Sequence, residues 1–374
     1  MPRELIATAP RTPILRDYEE PAIGPRQIRI RTEFASPKHG TELVGYRDDP
    51  AARRTYDPAL GAVMPRPDGT GGGFPKALGN MAVGVVAAVG PEASRFRLGD
   101  RVFGHFPIRE THTVDETNAD PLPEGLSAEA AVCLAPAVMA FPMRDAGIGL
   151  GDRVAIFGLG AIGLMAVQLA RLSGAAQVIA VDPLADRRAF ARAFGADAAL
   201  DPAAGDGDVG LAIRRLTGAA GTDLPARERA QGERIVGGYR EHPSQIENLG
   251  VDVAVESSGS VTALHQAIRA ARFGGTVGML SFYGGDSAAL RLGEEFHINR
   301  LRLVSARAES PPMRDAPGWT LARVVGTSLD WLASGRLRAD GIVTPIVPFA
   351  ESVEAYRAID EHPERSIKLG IRFP

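Results

Sequence analysis

The sequence predicts an α/β protein in which a doubly wound parallel sheet is joined to a second, β-rich, barrel-like domain. Three observations predict it. A βαβ unit with a glycine turn runs from Asp152 to Asp182, strand-like and helix-like runs alternate after it, and short strands separated by Gly and Pro precede it.

The βαβ unit reads DRVAIFGLGAIGLMAVQLARLSGAAQVIAVD. Val154 to Phe157 form a short apolar run with the look of a buried parallel strand. Gly158, Gly160 and Gly163 follow at GxGxxG spacing, with Leu159, Ala161 and Ile162 between them. Gly158 suits the tight turn and Gly160 the close approach of backbone to a pyrophosphate. Gly163 lets the helix expected from Ile162 to Ser173 pack on the strand with its N-terminus toward phosphate. The second strand, Val178 to Val181, ends in Asp182, about 20 residues on, where a carboxylate bonds ribose hydroxyls. The full context predicts a bound dinucleotide. A carboxylate at Asp182 also favours NAD over NADP, because it repels a 2′-phosphate. Arg187 and Arg188 leave a second reading open, since a guanidinium just past the strand can pair with phosphate or simply begin a solvated helix.

In the N-terminal half, Gln27 to Thr32, Ala82 to Val89 and Arg101 to Phe103 read as short strands. The segment Asp48 to Pro75 has no period and is expected as a loop. After Asp182 come a helix from Asp186 to Phe194, a strand at Ala198 to Leu200 and a helix from Val209 to Leu216. The run VDVAVESSG from Val251, a helix at Thr262 to Ala271 and a strand at Thr276 to Ser281 continue the sheet. The charged stretch near 221–250 interrupts this alternation as an insertion. A helix at Thr320 to Ser334, a strand at Ile342 to Val347, a helix at Val353 to Asp360 and a last strand, Ile367 to Phe373, complete the chain. The expected division is a barrel-like catalytic domain, 1–135 completed by 310–374, and a dinucleotide domain, 136–309.

With 374 residues, 45% of them hydrophobic, the chain suffices for two cores. A net charge of −3 offers no basic field for nucleic acid or an anionic membrane. No apolar run approaches a span of ~20 residues, and the N-terminus lacks the apolar core of a signal peptide, so a cytoplasmic protein with no membrane partner is expected. The one cysteine, Cys133, excludes an intrachain disulfide and a multi-cysteine zinc cage, and suits core packing.

The β-rich half carrying GDRV, the central GDRVAIFGLGAIG and the C-terminal return together resemble the medium-chain dehydrogenase/reductase superfamily over nearly the whole chain. That resemblance implies a GroES-like barrel beside a Rossmann domain. The zinc alcohol, polyol and sugar dehydrogenases of the superfamily carry GICGTDLH where this chain has SPKHGTELV, and GHE where it has GNM. His39 thus stands at the position of the first zinc-ligand cysteine and Thr41 at the hydroxyl that begins the proton relay. Asn80 and Met81 stand where the family has histidine and glutamate, and an amide with a thioether makes a poor zinc site. The four-cysteine lobe expected after GDRVFG is also missing. No metal is expected.

Without a Lewis acid a side-chain base must take the alcohol proton. His39 is the first candidate, since a near-neutral pKa suits proton transfer. Lys38 is the second, Thr41 a relay, and Glu42 a group that orients His39 or Lys38. His105, with Asn80 and Met81, is a candidate for the substrate pocket. The resemblance further implies cofactor contacts at Ser257 and Ser258, at Ser281 and Phe282 ending the next strand, and at Lys368, which aligns with a basic residue touching the pyrophosphate in relatives. The expected function is zinc-independent, NAD-dependent interconversion of a secondary alcohol and a ketone on a sugar, cyclitol or polyol. Alternatives are a hydroxyethyl-tetrapyrrole dehydrogenase, a quinone or enoyl reductase, and a non-catalytic NAD-binding protein. A homodimer or homotetramer is the expected assembly.

Overall fold

Alternation of buried and exposed residues along Gln27–Ser36, with Ile28, Ile30, Thr32 and Phe34 turned inward, makes this long strand the spine of the first unit. The computed structural model describes residues 1–67, 69, 72–219, 249–285, 287–308 and 316–374. By compactness the chain divides into Met1–Ala135 with Leu329–Pro374, and Pro136–Ser328; the sequence reading set the return at 310.

In the first unit the spine pairs antiparallel with Met81–Val89, with Thr111–Asp115 and, at Ala35 and Phe34, with the last strand Lys368–Arg372. Arg101–Gly104 and Asp120–Pro121 extend the sheet on one side, and Val343–Pro348 pairs parallel to the last strand on the other. A smaller sheet holds Arg3–Ala9, Thr12–Asp17 and Lys76–Ala77. The core of this unit gathers Leu5, Ile28, Ile30, Leu78, Val86, Phe106, Ile108, Tyr356 and Ile371. The phrase after His39 opens a helix, Thr41–Arg47. One expectation is corrected. The segment expected as a loop from Asp48 contains a hairpin, Arg54–Asp57 with Ala62–Pro65, whose four-residue, mostly exposed strands are too short to show an alternation.

The second unit is a six-stranded, wholly parallel sheet. Its order is Ala198–Leu200, Gln177–Val181, Arg153–Phe157, Val251–Glu256, Ala271–Met279, Arg302–Ser305. Strand order reverses direction next to Arg153–Phe157, which makes that edge the topological switch point of a Rossmann fold. Arg153–Phe157 and its neighbours are buried on both faces, as parallel strands covered by helices must be. Ala161–Leu172 and Val261–Ala270 supply two of those helices. The strand expected at Thr276 begins already at Ala271 and stops at Met279, so Ser281 and Phe282 follow the strand rather than end it. The expected insertion lies, except for its last two residues, outside the described residues.

Candidate functional site

In the second unit the glycine turn is built as its spacing demands. Gly158 has φ +84°, and a Cβ there would stand 2.6 Å from Ser258 Cβ. A Cβ on Gly163 would lie 1.8 Å from the Gly158 carbonyl oxygen and 2.8 Å from Ser257 Oγ, so only glycine lets the helix seat on the turn. Gly160 differs: a Cβ there would meet nothing within 4 Å, leaving its face open to a ligand. The helix ladder starts with the Leu164 N–H bonded to the Gly160 carbonyl at 2.9 Å. The N–H groups of Ala161, Ile162 and Gly163 therefore precede it, and they supply partial positive charge for a pyrophosphate.

Asp182 is buried, and its two oxygens accept main-chain N–H groups, Oδ2 from Leu159 at 2.7 Å and Oδ1 from Leu184 at 2.9 Å. The Leu159 N–H is thus directed at Asp182, not at phosphate. Arg187 Nη1 stands 3.9 Å from Asp182 Oδ2, while Arg188 donates to the carbonyls of Asp182 and Pro183, each at 2.7 Å, and pairs with Asp201. Arg188 is a structural brace, and Arg187 is the one arginine of the two set beside the carboxylate. Ser257 Oγ donates to the Phe157 and Gly158 carbonyls at 3.0 and 2.8 Å, which fixes it as a brace of the turn. These residues fit a dinucleotide: an open glycine, free-standing first-turn donors and a carboxylate at the end of the second strand.

In the first unit the spine strand ends at Ser36, whose hydroxyl donates to the Leu369 carbonyl at 2.7 Å. Of the residues that follow, half-buried Lys38, His39 and Glu42 form one cluster with the last strand and Tyr356. Glu42 Oε2 accepts the Lys38 N–H and Oε1 accepts the Gly79 N–H and the Tyr356 hydroxyl, each at 2.7 Å. The carboxylate holds Lys38 through its main-chain N–H. Burial pushes the Glu42 carboxyl above its ordinary range, against the pull of Tyr356, the two N–H donors and Lys368. Tyr356, desolvated beside that carboxylate, is pushed well above the ordinary phenol range and keeps its proton.

His39 Nε2 accepts the Leu369 N–H at 3.1 Å. That bond selects the neutral ring with its proton on Nδ1, so His39 takes a proton at Nε2 only by giving up a main-chain partner. Lys368, buried, donates Nζ to the Pro37 carbonyl at 3.0 Å, immediately before Lys38. Burial brings its amine down to about 8, against the opposing effect of Cys133 and Glu42, and Lys38 lowers it further. Cys133 is fully buried and its thiol is pushed up to about 12, as expected of a core cysteine. The expected pocket residues also converge here. The Asn80 N–H donates to the Ser36 carbonyl at 3.1 Å, Met81 pairs with Ser36 and is buried, and exposed His105 lies with Nδ1 3.3 Å from the Asn80 carbonyl oxygen.

For a metal, the donors do not fit. His39 is engaged through Nε2, Asn80 and Met81 offer an amide and a thioether, and among the described residues no group of three His, Cys, Asp or Glu is placed to hold an ion. Among the described residues no helix is long and apolar enough to cross a membrane. Sequence reasoning missed Tyr356, which closes on Glu42 from 314 residues away, and Glu256 with Tyr283 in the second unit.

Comparison with known proteins places the chain among dehydrogenases by family model, by sequence and by fold. Residues 161–314 match the family model described as zinc-binding dehydrogenase. The chain is 37% identical over 380 residues, covering 99% of itself and 100% of the relative, to D-guloside 3-dehydrogenase of Escherichia coli. It is also 25% identical, over 76% of its length and 77% of the relative's, to a probable D-xylulose reductase A of Aspergillus clavatus. Among solved structures, an oxidoreductase/dehydrogenase of unknown specificity from Escherichia coli superposes with a TM-score of 0.72 at 19% identity, covering all of both chains. The 2R,3R-butanediol dehydrogenase of Bacillus subtilis gives a TM-score of 0.69 at 21% identity over 100% of this chain and 99% of that one. Both share this fold.

Proposed function

The chain belongs to the medium-chain dehydrogenase/reductase superfamily and is an oxidoreductase, and on that premise we propose that it interconverts a secondary alcohol of a sugar glycoside and the ketone, using NAD. The substrate class rests on the full-length likeness to a protein named for oxidising a guloside. The observation that carries the cofactor is the turn at Gly158 to Gly163, with Gly160 open and Asp182 behind it. Asp182 favours a ribose 2′-hydroxyl over a 2′-phosphate. Bound nicotinamide supplies the two-electron hydride acceptor and donor.

The residues of the first unit then have one remaining task, the proton. Oxidation removes a hydride from the carbinol carbon and a proton from its oxygen. We assign proton acceptance to the Lys368 amine rather than to His39, whose Nε2 is already engaged. With a pKa of about 8, about one amine in ten is neutral at pH 7, enough for a general base that recharges each turnover. Glu42, held by Tyr356, fixes the main chain at Lys38, and Asn80 and Met81 are the residues proposed to line a substrate pocket that needs no metal. Thr41 and His105 are the polar groups proposed to meet substrate hydroxyls. A homodimer or homotetramer is the proposed assembly, read by sedimentation.

Calorimetry with NAD and NADP tests the cofactor assignment. Tighter NAD binding supports it, and equal or tighter NADP binding overturns it.

A further inference from the structure

We propose that Tyr283 and Glu256 are a positioning pair that holds the segment Ser281 to Tyr283 in register for the nicotinamide half of the dinucleotide. This rests on the cofactor reading above.

A doubly wound sheet takes a dinucleotide across its reversal point, one mononucleotide over each half. Asp182 and its strand mark one half, so the other mononucleotide belongs over the ends of Val251–Glu256 and Ala271–Met279. At that end Glu256 is 0% exposed, an expensive place for a carboxylate unless donors surround it. Four donors do. Its Oε1 accepts the Ser258 N–H at 2.7 Å and the Ser258 hydroxyl, and its Oε2 accepts the Gly259 N–H at 3.2 Å and the Tyr283 hydroxyl.

Three of these donors are local and close the turn after the strand. Tyr283 arrives from another segment, so its hydroxyl ties that segment to the turn, alongside the Leu280 N–H bonded to the Glu256 carbonyl at 2.9 Å. The turn is in register with the glycine cradle, because Ser258 abuts Gly158 and Ser257 braces its carbonyl. The second segment also approaches the turn, since a Cβ on Gly259 would lie 3.2 Å from the Phe282 carbonyl oxygen. Between the anchored Tyr283 and the end of the strand, Phe282 stands 56% exposed, an aromatic face held out with no core of its own. Desolvation and the neighbouring carboxylate push the Tyr283 hydroxyl far above the ordinary phenol range, so it remains a donor at every working pH.

The test compares two probes by calorimetry on the full-length protein. NAD occupies both halves of the site, and ADP-ribose occupies only the adenosine and pyrophosphate half. Tyr283→Phe removes the hydroxyl and keeps the ring. It is expected to raise the NAD dissociation constant about tenfold, the scale of one hydrogen bond to a charged group, and to change that of ADP-ribose less than about twofold. Glu256→Gln, which keeps the side-chain shape and an acceptor toward Ser258, is expected to show the same split. Parallel weakening of both probes, or unchanged NAD affinity in both variants, overturns the inference. Failure of the unsubstituted protein to bind either probe overturns the cofactor reading itself and the inference with it.

Discussion

The carboxylate of Asp182 accepts the main-chain N–H of Leu159 at 2.7 Å. The residue expected to read the cofactor ribose is therefore also the brace of the glycine turn. Asp182→Ala leaves the buried N–H of Leu159 without an acceptor, at about 1 to 3 kcal/mol, and the partly buried N–H of Leu184 as well. The variant is expected to melt several degrees lower, to bind NAD and NADP more weakly and to prefer NAD less. A variant of unchanged melting temperature that gains NADP affinity would show Asp182 to be a ribose reader alone.

Purified protein is expected to hold no stoichiometric zinc and to keep its turnover in chelator. The ground is the donor set: Asn80 and Met81 at two family ligand positions, and His39 Nε2 engaged by Leu369. About one zinc per chain by elemental analysis, lost together with activity, contradicts this.

Lys368 also makes stability depend on pH. Its amine titrates near 8 when folded and near 10.5 in the unfolded chain, so the unfolded state binds more protons between those values and wild-type stability rises with pH there. The penalty below pH 8 is about 3 kcal/mol. Lys368→Met lacks it. The stability of Lys368→Met relative to wild type, measured by urea melts, is expected to be most favourable below pH 8 and to fall by about 3 kcal/mol toward pH 10.5. A difference that is flat with pH contradicts the buried neutral amine.

Lys368→Met is further expected to lower turnover by about 10² or more while leaving ADP-ribose affinity unchanged, and the wild-type rate is expected to climb with pH through a limb near 8. His39→Ala, which removes an acceptor from the Leu369 N–H, is expected to cost less. If Lys368→Met instead weakens ADP-ribose and keeps turnover, the lysine is a pyrophosphate contact. A turnover loss larger in His39→Ala than in Lys368→Met returns the base to the imidazole.

The βαβ unit was legible because its physics is local. Gly158 and Gly163 answer to steric demands within one turn, Gly160 leaves its face open, and the buried strand segments Val154–Phe157 and Val178–Val181 are unbroken apolar runs. The cluster around His39 and Glu42 was legible only as a phrase. SPKHGTE supplies one side of the cluster, but its partners come from Leu369, Lys368 and Tyr356, more than 300 residues along the chain, and no spacing announces such closures. Glu256 did leave a signal. A carboxylate closing the apolar run VDVAVE must be buried with the strand, and a buried carboxylate needs donors. The hairpin at Arg54–Pro65 left none, since its strands are four residues each and mostly exposed.

Turnover on glycosides tests the central claim most directly. The unsubstituted enzyme is mixed with a panel of hexopyranosides, free sugars, polyols and simple alcohols, with NAD or NADP, and formation of the reduced nicotinamide is followed by absorbance. The account predicts reduction of NAD faster than of NADP, fastest with a hexopyranoside, and a ketone at a secondary ring carbon of the product. Reduction of NADP in preference, or turnover confined to the simple alcohols, contradicts it.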